Sequence, residues 1–165
     1  MTSRRAGGWA PVLAAAIAAM AVAGLGAAIT DLGDWYHSLR QPEWKPPDWL
    51  FGPAWTLIFS LAALSGVQAW RAASQTNQRA RIIALFVLNG LLNLIWSVLF
   101  FRLHRPDWAL AEVGFLWLSI LLLIVTLRPI SKTASWLLVP YLLWVAFAAL
   151  LNFAVVRLNA PFAGA

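Results

Sequence analysis

The runs GPAWTLIFSLAALSGVQAW (residues 52–70) and IIALFVLNGLLNLIWSVLFF (82–101), with the polar connector RAASQTNQR (71–79) between them, decide the fold. Each run matches the roughly 20 residues a helix needs to cross a bilayer. Inside hydrocarbon every backbone N–H and C=O must be paired within the segment, so apolar runs of this length mean helices. Working outward, similar runs fall at 9–29, 108–127 and 135–156. The connector Arg102-Leu103-His104-Arg105-Pro106-Asp107 predicts a helix start, with Asp107 as its N-cap. Arg128-Pro129-Ile130-Ser131-Lys132-Thr133 reads as a stop followed by a restart. The expected fold is an all-α membrane protein, a bundle of five transmembrane helices. Residues 1–8 form a polar N-terminal tail, 9–157 a single transmembrane domain, and 158–165 a C-terminal tail.

Composition agrees. The chain is 62% hydrophobic and 11% charged, with mean hydropathy +0.75, whereas soluble domains are about 45–50% apolar and about 25% charged. No cysteine is present, which excludes disulfides, thiolate metal sites and Cys nucleophiles. The net charge of +6 lies in short connectors, with no basic helix face to track phosphates, so a nucleic-acid partner is not expected. The cations instead carry topology. One side holds Arg4, Arg5, Arg71, Arg79, Arg81, Arg128 and Lys132 with no acid; the other holds Arg40, Lys45, Arg102, Arg105 and Arg157 among Asp31, Asp34, Glu43, Asp48 and Asp107. This predicts a cytoplasmic N-terminus. Arg4-Arg5 and the Ala-rich run after them have the outline of a secretory signal, but the run exceeds the usual 7–15 apolar residues, so a retained span is expected.

The loop at 30–51 is too long to be a simple connector. Disordered segments are poor in aromatics, yet this loop carries Trp35, Tyr36, Trp44, Trp49 and Phe51. Pro42, Pro46, Pro47 and Pro53 restrict its backbone. An ordered cap over one mouth of the bundle is expected. An interfacial aromatic belt explains Trp9, Trp70, Trp108 and Trp136 at span ends. It does not explain the density in this loop, nor Trp117 and Trp144 near mid-membrane depth.

Trp35-Tyr36-x-x-Leu39-x-x-Pro42-x-Trp44-x-Pro46-Pro47, followed by Phe51-Gly52-Pro53-x-Trp55, resembles the tryptophan-rich sensory protein family, also called translocator proteins or peripheral-type benzodiazepine receptors (TspO/MBR). The resemblance extends through Asn93-Leu94-Ile95-Trp96-Ser97 and Val139-Pro140-Tyr141-Leu142-Leu143-Trp144-x-x-Phe147-Ala148-x-x-Leu151-Asn152. It implies a hydrophobic ligand pocket beneath the first loop, with Tyr36, Pro47, Trp55, Asn93, Ser97, Trp144 and Ala148 as binding residues. The implied ligands are porphyrins such as protoporphyrin IX or haem, with no cofactor required, and family members are commonly homodimers. Aromatic planes suit a flat macrocycle, and a few amide and hydroxyl groups orient it.

Residue patterns add candidates of their own. Asn89, Asn93 and Ser97 recur every four residues and share a helix face. Asn89 and Asn152 fit interhelical bonding as well as a ligand site. Pro140 is expected to kink the last helix and open space near Trp144. Gly90 and the small residues of the first span permit close helix contacts. His37 and His104 lie in polar connectors, where a solvated histidine is the ordinary outcome, although either is a conceivable haem ligand. Glu112 is an intramembrane acid and hence a functional suspect, or it snorkels to the interface. No cation follows Tyr141 within five residues, so the sterol pattern of the last helix is incomplete; Arg81, Phe86 and Leu88 fit its weak reversed form.

Three functions compete at this point. One is a membrane receptor or sensor for tetrapyrroles, with a role in their transport or in stress regulation. Another is facilitative porphyrin or sterol transport. The third, which the resemblance implies, is light- and oxygen-dependent porphyrin degradation, with Trp55 and Trp144 as the candidates by the same family matching; no acid–base pair, metal cluster or nucleophile supports ordinary catalysis.

Overall fold

The run at 9–29 forms helix α1 (Ala10–Ile29) in the computed structural model, which describes residues 8–162. Arg4 and Arg5, with the rest of 1–7 in the predicted N-terminal tail and 163–165 of the C-terminal tail, lie outside the described residues. A short helix α2 (Asp34–Ser38) follows within the loop, then α3 (Phe51–Ala72), α4 (Thr76–Ser97), α5 (Pro106–Leu127), α6 (Lys132–Leu137) and α7 (Val139–Asn159). Among the described residues, five segments are long and apolar enough to cross a membrane: Ala10–Ile29, Asp48–Ala72, Thr76–Arg102, Pro106–Leu127 and Lys132–Asn159. No strand occurs among the described residues.

The helix ends differ from expectation for local reasons. Helix α4 starts inside the polar connector because Gln75 and Gln78 form a reciprocal capping box. At the start of α5 the N-cap is Arg105, and Pro106 takes the first turn, where its missing N–H is harmless. Asp107 is therefore not the cap; its carboxylate pairs with the Arg105 guanidinium instead. Pro140 stands in the first turn of α7, so the long apolar segment breaks at Leu138 into α6 and α7. Ser131 caps α6, accepting from Ala134 N at 3.2 Å.

Helix α4 ends in a wider π turn, Val98–Arg102. The Leu103 N–H donates to Val98 O at 3.0 Å and the Arg105 N–H to Leu99 O at 2.9 Å. His104 follows with φ of 52°, a left-handed conformation uncommon for a non-glycine residue. Such turns reorient neighbouring side chains. Here Phe100 and Phe101 are both buried beneath the loop.

The spans close a ring: α1 packs on α3 and α4, α4 on α5, α5 on α7, and α3 on α6 and α7. Leu116, Ile120, Leu123 and Leu127 of α5 recur at helical spacing and form the core with Ile58, Ala69, Tyr141 and Val145. Leu118, Leu122, Val125, Leu143 and Leu150 are exposed, as lipid-facing side chains must be. Polar bonds join the helices: Asn89 Nδ2 donates to Ser119 Oγ at 2.9 Å, and Ser65 Oγ to Ala134 O at 2.7 Å. Asn89 is thus an interhelical bond. Gly90 serves the approach of α1 to α4, since a Cβ there would lie 3.2 Å from Val22 Cγ2.

Candidate functional site: a lidded cavity between four spans

The loop between α1 and α3 is ordered by ties at several points. Tyr36 and Leu39 are buried against Phe100, Phe101, Ala109 and Val155. Trp35 stacks on His104 with ring centroids 4.1 Å apart. Tyr36 Oη donates to Asp48 Oδ1 at 2.9 Å, and Lys45 Nζ reaches the same oxygen at 2.5 Å. Burial raises the Tyr36 phenol above its ordinary value, so at neutral pH it is a donor. Burial pulls the Lys45 ammonium down, but its bonds to Asp48 and Tyr36 outweigh this and hold it above its ordinary value. At the far side the Arg40 N–H donates to Asn159 Oδ1 at 2.8 Å, and Asn159 Nδ2 returns a bond to Arg40 O at 2.9 Å. Trp44 packs edge-on to Phe147, 6.0 Å between centroids.

Beneath this lid lies a cavity of about 710 Å³, walled by α1, α3, α4 and α7. Helix α5 lends it no lining side chain and acts as the support behind α4 and α7. Ala23, Gly26 and Ala27 make a low wall on α1. Trp55 and Phe59 of α3, Trp96 and Phe100 of α4, and Trp144 of α7 make aromatic walls. Trp55 and Trp144 stand nearly perpendicular, 6.3 Å between centroids. The volume falls within the roughly 300–1,000 Å³ range of small-molecule sites, and mostly apolar walls with a few polar groups are their usual make-up.

Of the residues singled out in the sequence, Tyr36, Trp55, Asn93, Ser97, Trp144 and Ala148 line this cavity. Pro47 does not. It precedes the 3₁₀ turn Asp48–Leu50, where its carbonyl accepts from the Leu50 N–H at 3.0 Å, so it shapes the lid rather than the cavity wall. Asn93 Nδ2 donates to Tyr141 Oη at 3.3 Å, and Ser97 Oγ to Asn93 O at 3.2 Å. Asn152 also lines the cavity, but accepts from Trp96 Nε1 at 3.2 Å and donates to Pro106 O at 2.9 Å. His37, His104 and Glu112 are not among the lining residues. Both carboxyl oxygens of Glu112 are buried with no hydrogen-bond partner.

The structure adds residues that sequence patterns passed over. Gln41, Asp48 and Trp49 descend from the lid, and Phe100 and Phe101 from the π turn. Trp96 stood within a quoted motif and could have been taken from it. The lid residues have no periodicity to reveal their direction. No cluster of three or more metal-ligating side chains occurs among the described residues.

The model of the TspO/MBR family matches residues 12–158. The tryptophan-rich protein TspO of Chlorobaculum tepidum is 40% identical over 126 residues, covering 76% of this chain and 80% of the relative. A protein of the same name from Archaeoglobus fulgidus is 38% identical over 151 residues, 90% of this chain and 97% of the relative. The translocator protein of Homo sapiens is 31% identical over 126 residues, 76% of this chain and 75% of the relative.

Proposed function

The chain belongs to the TspO/MBR family, and from that premise we propose that it is a multi-pass membrane receptor or sensor that binds tetrapyrroles, such as protoporphyrin IX or haem, and similar flat hydrophobic molecules beneath the lid. One observation carries this reading: a cavity of about 710 Å³, walled by Trp55, Trp96, Phe100 and Trp144 and roofed by an ordered loop. Indole faces stack on an extended π system, while the surrounding aliphatic groups exclude water. No histidine lines the cavity among the described residues, so the macrocycle is held by its faces and edge rather than through axial imidazole ligation. The proposed consequence of binding is tetrapyrrole handling or a stress response.

In this reading the N-terminus is cytoplasmic and the lid faces away from the cytoplasm, in line with Arg71, Arg79, Arg81, Arg128 and Lys132 at the opposite end. The protein acts as a homodimer, for which the small, exposed residues along α1 offer a close-packing face. The right-angled pairing of Trp55 and Trp144 within the cavity also favours a second reading, photo-oxidative degradation of a bound porphyrin in which dioxygen is the oxidant and these indoles mediate electron transfer. Titrating the protein in lipid nanodiscs with protoporphyrin IX tests the first reading. Saturable quenching of Trp fluorescence, weakened in Trp144→Ala, is expected; no quenching, or quenching indifferent to Trp144, removes it. For the second, illuminated complex that bleaches only at the rate of free porphyrin is the negative result.

A further inference from the structure

Trp117 lies midway along α5, far from either interface where an aromatic belt would place it, and it is not among the residues lining the lidded cavity. It stands instead in a second recess, an open groove of about 490 Å³ between α5 and α7. Gly114, Ala146 and Ala149 keep the groove low between the larger side chains of Leu110, Trp117 and Leu150. The recess faces outward: Gly114 and Leu150 are exposed. A Cβ placed on Gly114 would meet nothing within 4 Å, so no other described side chain stands over that point.

The groove runs toward a cation. Ala146, Leu150, Phe153 and Arg157 recur at three- and four-residue spacing on α7, so Arg157 shares the face that lines it. The guanidinium lies 5.9 Å from the Phe153 ring centroid, leaning back along the helix toward the groove as helical side chains do. No acid pairs with Arg157 among the described residues, and the carboxylate of Asp107 is taken by Arg105. The length also fits. From Ala146 to Arg157 the helix rises about 16 Å at 1.5 Å per residue, close to half of the roughly 30 Å hydrocarbon thickness. A chain anchored at Arg157 therefore ends at the bilayer centre, beside Trp117 and Ala146. We propose that this groove holds an acyl chain of one anionic glycerophospholipid from the leaflet on the lid side, with the headgroup phosphate on Arg157. The forked guanidinium matches phosphate oxygens, and the recess gives the chain more close contacts than a smooth helix surface. This site is separate from the lidded cavity and does not depend on what the cavity binds.

The test adds dioleoyl phosphatidylglycerol or dioleoyl phosphatidylcholine, which share their chains, to the full chain in detergent and counts bound lipids by native mass spectrometry. The wild type is expected to hold one phosphatidylglycerol about fivefold more tightly than phosphatidylcholine, the worth of one interfacial cation. Arg157→Gln should abolish that preference, and Arg157→Lys should restore most of it. Gly114→Leu fills the groove where a larger side chain meets open space, and leucine is the better helix former, so the fold is kept. It should weaken both lipids severalfold while leaving their ratio unchanged. No preference in the wild type, a preference that survives Arg157→Gln, or binding indifferent to Gly114→Leu overturns the site. In the last case, self-association lost in Gly114→Leu would identify a second copy of the chain as the occupant.

Discussion

Replacing Asn152 with leucine tests how this bundle is held together. Asn152 is 2% exposed, and its amide joins three spans, accepting from Trp96 Nε1 of α4 and donating to Pro106 O at the start of α5. Leucine has a similar shape, so the loss is polar rather than a packing defect. In water, each orphaned buried partner would cost about 1–3 kcal/mol. In a bilayer the unfolded reference keeps its helices and finds other partners, and interhelical bonds average about 0.6 kcal/mol with a ceiling near 1.7. The two losses are unequal: Pro106 O is a first-turn helix carbonyl that still accepts within α5, whereas the Trp96 N–H loses its acceptor outright. The expected destabilisation is thus about 1–2 kcal/mol, most of it through Trp96. Reversible unfolding in mixed micelles, run as a double-mutant cycle with Trp96→Phe, should return a coupling of about 0.6–1 kcal/mol. If Asn152→Leu stays within about 0.3 kcal/mol of wild type and the coupling vanishes, Asn152 is no clamp.

Three further outcomes are expected. Asn159→Ala removes the reciprocal bonds to Arg40; amide exchange in residues 39–47 should quicken roughly 5- to 30-fold, the effect of losing about 1–2 kcal/mol, and unchanged exchange would refute the latch. Glu112→Leu replaces a buried carboxyl that lacks any partner and is expected to raise stability by about 1–2 kcal/mol, so a lower unfolding midpoint would show that the acid is needed. The Lys45 ammonium is held above its ordinary value of 10.5, so its share of lid stability is complete below that value and is lost only as pH rises through the higher folded value. Lid exchange should accordingly be flat from neutral pH to about pH 9.5 for this group and loosen beyond it, a dependence removed in Lys45→Met; loosening near neutral pH that depends on Lys45 contradicts the sign.

The five spans were legible because membrane burial writes itself into composition. A run such as 108–127 has one stable solution in hydrocarbon, a helix, whatever its neighbours do. A disturbance from Pro140 was legible too, but as a kink within one helix; the structure instead breaks the segment at Leu138 and puts Pro140 in the first turn of α7. Helix ends were less so: Asp107 had the chemistry of a cap, but Arg105 two residues before it claimed the carboxylate. The order of the lid could be read from its prolines and aromatics, though not the direction in which each side chain points.

What the sequence alone determined is thus the solvent, the helices and the family resemblance, each of which rests on local periods and motifs. Tertiary structure decided how each polar group is used. Asn89, Asn93 and Ser97 share one face of α4, yet Asn89 is spent on α5 while Asn93 and Ser97 reach the cavity. Gln41, anonymous in the chain, ends with its side chain lining the cavity. A hydrogen bond depends on where the partner helix stands, and that position follows from packing across the whole ring, which no local stretch of sequence contains.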